Sequence, residues 1–124
     1  MPHPLPTPTD NQPSPYDDPA VPLPATVRLA TGQGGLPVLI IDGPAARAEI
    51  YLHGANVTQW TPGEREPVLF LSSASQFTGD APIRGGVPIC FPWFGPQSGH
   101  PQAPSHGFAR LSEWSLVGAQ DDGE

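Results

Sequence analysis

The sequence predicts an all-β fold preceded by a proline-rich arm, and three observations carry that reading. Nineteen of the 124 residues are Pro and 14 are Gly, and proline alone stands at about three times its average usage. Such a composition leaves a disordered chain or a turn-rich β domain and excludes an ordinary helical protein. Short apolar or alternating segments bounded by Gly, Pro or Asp then recur at the spacing of a sandwich or barrel. No heptad pattern or internal repeat competes with them, and the length suits one domain at most.

Nine of the prolines fall in the first 24 residues: Pro2, Pro4, Pro6, Pro8, Pro13, Pro15, Pro19, Pro22 and Pro24. Each removes a backbone donor and biases its predecessor to extended geometry. The residues between them carry too little apolar surface to offset the entropy of ordering. Residues 1–25 therefore read as a disordered arm with polyproline II character, and residues 26–124 as the domain. Pro19 and Pro22 have the spacing of a polyproline ligand for an aromatic groove. No Lys or Arg flanks them to orient a partner.

From Thr26 the composition changes. Residues 27–29 alternate, and Gly32, Gly34 and Gly35 mark a hairpin turn, since no helix follows them to complete a dinucleotide loop. Residues 36–41 form an apolar run closed by the turn Asp42-Gly43-Pro44. Residues 46–52 and 55–61 are two further strands, broken at His53-Gly54. A polar turn over residues 62–67 leads into the apolar run 68–71, and residues 113–117 alternate around Trp114 and Leu116. Asn56-Val57-Thr58 matches a glycosylation acceptor, a chance match if the chain is not secreted.

Charge and cysteine content narrow the classes of function. A net charge of -7, with five Arg and no Lys, argues against a nucleic-acid surface. No apolar run approaches membrane-spanning length, and the first residues lack a basic-then-apolar leader pattern. A lone Cys90 excludes a disulfide scaffold and fits a reducing, cytoplasmic setting. Neither His3 nor His100 has metal-ligand spacing with another residue, so no metal is expected.

The informative segment is residues 83–110. Arg84 precedes a Gly pair, which lets the backbone approach another group closely. Phe91, Trp93 and Phe94 surround Pro92, which suits a rigid, irregular wall. His106 stands directly before Gly107, with Arg110 four residues on. Aromatic faces can cover the C–H face of a sugar ring. An arginine fork matches phosphate oxygens, and histidine exchanges protons near neutral pH. Together they suit a sugar-phosphate pocket.

Plainer readings stand beside this one. Arg110 could pair with Glu113, His106 could be a turn residue, and the aromatics could be core. Cys90, between Ile89 and Phe91, reads as a buried apolar filler. His53 reads as a turn or core histidine. His100 lies in a Gly/Pro loop, and His3 in the arm.

Ile83-Arg84-Gly85-Gly86-Val87-Pro88-Ile89-Cys90-Phe91-Pro92-Trp93-Phe94-Gly95-Pro96 and His106-Gly107-Phe108-Ala109-Arg110, followed by Trp114, closely resemble the hexose-6-phosphate mutarotases. These are the glucose-6-phosphate 1-epimerases, a branch of the aldose 1-epimerase family. His53-Gly54-Ala55-Asn56-Val57-Thr58-Gln59-Trp60 and Val68-Leu69-Phe70-Leu71-Ser72 also resemble it, so the likeness covers about residues 27–118. The resemblance implies a large β-sandwich of the galactose-mutarotase type, a supersandwich. It also implies cofactor-free interconversion of the α and β anomers of a hexose 6-phosphate. Arg84, Ser105, His106 and Arg110 match its substrate-binding positions, the two arginines meeting the phosphate and His106 the sugar. The family's proton-donating histidine and its glutamate base both lie well downstream of the His-Gly-Phe-Ala-Arg motif. They are therefore expected beyond residue 124, leaving no catalytic residue here. The chain then reads as the N-terminal part of the enzyme, with exposed edges and apolar faces and no mutarotation of its own. Two other classes stay open: a non-catalytic sugar-phosphate-binding module, and an interaction protein acting through the arm.

Overall fold

A computed structural model describes residues 21–123. The expectation of a disordered arm lies, for residues 1–20, outside the described residues. At residue 24 the chain turns into the sheet, the Pro24 carbonyl accepting the Val27 N–H at 3.0 Å.

Four strands follow in sequence and pair in that order as an antiparallel sheet: β1 (Val27–Thr31), β2 (Pro37–Asp42), β3 (Ala46–Tyr51) and β4 (Asn56–Pro62). The expected segments agree with them to within two residues at each end. Gln33–Gly35 forms a 3₁₀ turn joining β1 to β2. At Asp42-Gly43-Pro44 the chain reverses, Gly43 N–H donating to the Ala46 carbonyl at 3.1 Å. Between β3 and β4 the register shifts by a bulge at Glu49/Ile50, a device that increases local twist.

The apolar run of β2 fills the core because both of its faces are covered: Val38, Leu39 and Ile40 are all buried. Ala30, Val38 and Tyr51 lie in one cross-strand row. Ile40, Phe77 and Ile83 complete that cluster. Burying each Val, Ile or Phe contributes about 1.5–3 kcal/mol. Tyr51 packs on Phe77 with ring centroids 5.0 Å apart, and its hydroxyl oxygen accepts the Gln33 N–H at 3.0 Å. Two polar groups buried with the sheet are matched: the Thr58 hydroxyl donates to Glu49 Oε1 at 2.6 Å, and Asn56 Nδ2 donates to the Gly85 carbonyl at 3.1 Å. Asn56 is therefore a structural residue, 2% exposed, and the glycosylation match is closed off.

Two expected strands are corrected. Residues 68–71 do not form one: Pro67 offers no N–H, Val68 N–H reaches Trp60 O, and Leu71 makes a single bridge to Gly85. Phe70 is left 79% exposed. Residues 113–117 fail likewise, because their partner is the turn after β3 and not a strand. Glu113 bridges His53, Trp114 N–H donates to Leu52 O, and there the pairing stops.

Residues 84–87 lie between β4 and residues 70–72. Val87 N–H donates to Val57 O at 2.9 Å, Gly86 N–H to Phe70 O at 2.7 Å, and Ser72 N–H to Arg84 O at 2.9 Å. Gly86 has φ +68, and a Cβ there would overlap the Val57 carbonyl. The expected close approach of the Gly pair is thus an approach of Gly86 to β4 and of Gly85 to Phe70 and Leu71. Among the described residues no helix is long and apolar enough to cross a membrane.

Burial pushes the Tyr51 hydroxyl from its usual 10.0 up to about 12, against the lowering effect of the Gln33 N–H. The folded state therefore favours the neutral phenol, and its contribution is intact below pH 10. It should be lost as pH rises from 10 to about 12. Tyr51→Phe should abolish that alkaline component. It should also lower stability near neutrality by about 1–3 kcal/mol, since the Gln33 N–H loses its acceptor. Urea midpoints for both proteins across this pH range check the expectation; identical alkaline slopes would contradict it.

Candidate functional site

The site grows from two segments that carry little regular structure, residues 84–95 and 105–110, joined by backbone contact. Gly107 is buried at φ +74, where a Cβ would overlap the Phe91 carbonyl. That carbonyl accepts the N–H groups of both Phe108, at 3.0 Å, and Ala109, at 3.1 Å. A 3₁₀ turn, Ala109–Leu111, then places Arg110.

His106 is held from two directions. Its N–H donates to Gly95 O at 2.9 Å, and Gly95 N–H donates to its Nδ1 at 2.9 Å. Its ring lies 4.7 Å from that of Phe94, tilted by 57°. Its φ of +66 is a conformation His adopts more readily than most residues. Arg110 Nη2 donates to Ser105 O at 2.8 Å, closing the 105–110 loop, while its Nε is buried without an acceptor among the described residues. The loop's flanks are tied by Trp93 Nε1 to Pro104 O at 2.9 Å and Trp114 Nε1 to Ala109 O at 3.0 Å. Trp93 also meets Phe108 edge-on at 5.9 Å.

Ser105, His106 and Arg110 are thereby brought together. Arg84 is not: its N–H is held by Ser75 Oγ at 3.0 Å, and its exposed side chain borders a hollow of about 160 Å³ with Ala74, Gln76, Ala81 and Pro82. A larger hollow of about 430 Å³ lies over β1 and β2 beside residues 119–122, and none of the four residues lines it.

The plainer readings resolve individually. Arg110 takes Ser105 O in place of Glu113, while Arg47 pairs with Asp42 at 3.4 Å. His53 is a core histidine, 3% exposed, whose Nε2 donates to Ala81 O at 2.7 Å. The aromatics are not core: Phe91, Phe94 and Phe108 are exposed. Cys90 is half-exposed, not buried, because the wall it belongs to faces outward. No group of three or more His, Cys, Asp or Glu that could hold a metal occurs among the described residues. Gly95 and Phe94 as the holders of His106 were missed. The only local signal is the turn Phe94-Gly95-Pro96, which does not name its partner eleven residues away.

A family model described as aldose 1-epimerase matches residues 37–124. The chain is 40% identical over 89 residues to the "Putative glucose-6-phosphate 1-epimerase" of Escherichia coli (strain K12), covering 72% of this chain and 30% of that protein. It is 42% identical over 87 residues to the protein of the same name from Salmonella typhimurium, covering 70% and 29%. The crystal structure of a "putative mutarotase (YeaD)" from Salmonella typhimurium superposes with a TM-score of 0.66 at 40% identity, over 78% of this chain and 34% of that one. The chain thus spans about 30% of the length of the curated relatives it matches.

Gly107→Ala should cost at least about 1–2 kcal/mol, the penalty of a left-handed L-residue, before the overlap with Phe91 is counted. A lowered urea midpoint, with amide shifts concentrated in residues 91–95 and 105–110, is the expected result. An unchanged midpoint would show that the two segments do not depend on this contact.

Proposed function

The chain belongs to the aldose 1-epimerase family, and we propose that it forms the sugar-phosphate-binding part of a hexose-6-phosphate mutarotase, a glucose-6-phosphate 1-epimerase. One observation carries the assignment. The 105–110 loop closes on itself so that His106 and Arg110 share one rigid turn beside the exposed ring of Phe94. The names of the relatives point to the same substrate class.

In this reading Arg110 meets the phosphate from the 105–110 turn. The exposed Arg84 side chain, which stands on a separate segment, has to swing toward the same phosphate when it binds. Each makes charge-assisted hydrogen bonds there. Ser105 lines the same end of the site, and His106 hydrogen-bonds the sugar. Mutarotation needs an acid to protonate the ring oxygen while a base takes the proton of the C1 hydroxyl. The C1–O5 bond breaks to give the open aldehyde, C1–C2 rotates, and reclosure from the other face returns both protons. Each proton-transfer group contributes typically 10²–10⁴-fold. The role proposed here for Arg84, Ser105, His106 and Arg110 is binding and not proton transfer. A reducing cytoplasm suits the unpaired Cys90.

Two measurements test the proposal. Calorimetric titration should show glucose 6-phosphate binding the 124-residue chain, with inorganic phosphate competing and glucose binding far more weakly. Arg84→Ala should weaken glucose 6-phosphate at least about ten-fold, the scale of a lost hydrogen bond to a charged group. Unchanged affinity would return Arg84 to a structural role. Polarimetry of freshly dissolved α-glucose 6-phosphate should follow the uncatalysed rate in the presence of the chain. Clear acceleration would place the proton-transfer groups within these 124 residues.

A further inference from the structure

We propose that the Gly95 amide fixes His106 as its Nε2–H tautomer, so that the ring presents a hydrogen-bond donor, not an acceptor, at Nε2. A neutral imidazole carries one donor and one acceptor nitrogen. Gly95 N–H can only donate, and it points at Nδ1 from 2.9 Å. Nδ1 therefore carries the lone pair, and the ring proton sits on Nε2. The return bond from His106 N–H to Gly95 O, at 2.9 Å, and the contact with Phe94 hold the ring in that orientation. Gly107, seated on Phe91, fixes the backbone just beyond it.

The consequence is chemical. Accepting a proton at Nε2 would require a lone pair there, which moves the other proton to Nδ1. That tautomer sets two donors, Nδ1–H and Gly95 N–H, head to head. The favoured state instead offers Nε2–H to an oxygen lone pair. That this oxygen belongs to the sugar rests on the mutarotase reading; the tautomer does not. Gly95 is then a positioning residue, acting through the imidazole.

Long-range ¹H–¹⁵N correlation on the ¹⁵N-histidine-labelled 124-residue chain at neutral pH reads the tautomer directly, with His106→Asn identifying the signals. Nδ1 should resonate as an unprotonated nitrogen and Nε2 as a protonated one. The reverse pattern, or averaging between tautomers, would overturn the proposal. His106→Asn keeps an acceptor near the Nδ1 position and removes the outward donor. It should weaken glucose 6-phosphate by up to about ten-fold, the scale of one neutral hydrogen bond, while leaving inorganic phosphate binding unchanged. Equal loss for both ligands would overturn the donor role. A locked tautomer in a chain that binds no glucose 6-phosphate would uphold the proposal and count against the mutarotase reading.

Discussion

Main chain lying directly on main chain is the constraint on which the rest of this molecule depends. The residues proposed to bind substrate sit outside the four-stranded sheet, in segments too irregular to be held by ladders of hydrogen bonds. Gly86 lets the Arg84 segment lie on Val57 of β4, and Gly107 lets the His106 turn lie on Phe91. Each contact removes the gap a side chain would occupy, so one carbonyl can serve several donors, as that of Phe91 does for Phe108 and Ala109. The sheet thus fixes position with little secondary structure of its own near the site. Its bulge at Glu49/Ile50 precedes the stretch of β4 where Asn56 and Val57 meet Gly85 and Val87.

How much of this the sequence reveals follows from the range of the forces involved. The strands of the meander pair with their neighbours, so apolar runs and Gly/Pro turns suffice to find them; residues 36–41 and the break at His53-Gly54 are examples. Residues 68–71 look equally strand-like, yet the partners available to them are Trp60 and the Gly85-Gly86 pair, which support only scattered bonds. Apolarity there does not report burial, since Phe70 stays exposed. The same holds for Cys90, whose apolar neighbours suggested an interior that Phe91 does not occupy. At the site, the loop of Ser105, His106 and Arg110 is local and legible. The Gly95 bond to Nδ1 spans eleven residues and depends on a turn geometry no residue type announces.

The exposed aromatics have the same origin as the rigid wall. Phe91, Phe94 and Phe108 project from backbone that is pinned by Gly107 and by the Trp93 bond to Pro104. They cannot retreat into the core without breaking the contacts that place His106. Their exposure is therefore a cost tied to the site's geometry, about 25 cal/mol for each Å² left in water. A ligand or a covering chain segment that buried these rings would recover it.

Arg84 and Arg110, the two arginines proposed to meet an anion, differ in how they are held. Arg110 has already committed Nη2 to Ser105 O, so part of the rotamer entropy of a long side chain, up to about 2 kcal/mol, is lost before any ligand arrives. Its remaining donors are fixed relative to His106. The Arg84 side chain is exposed and tethered only through its backbone, by Ser75 Oγ and by Ser72 N–H on its carbonyl; it retains the freedom to follow a charge and surrenders that entropy on binding. Removing Arg110 would release Ser105 and loosen the turn that presents His106, so its loss mixes structure with recognition. Removing Arg84 subtracts a cation from a chain of net charge -7 and leaves the turn intact. Under the proposed function, Arg84 is the one of the two whose substitution would report on anion binding without disturbing the 105–110 turn.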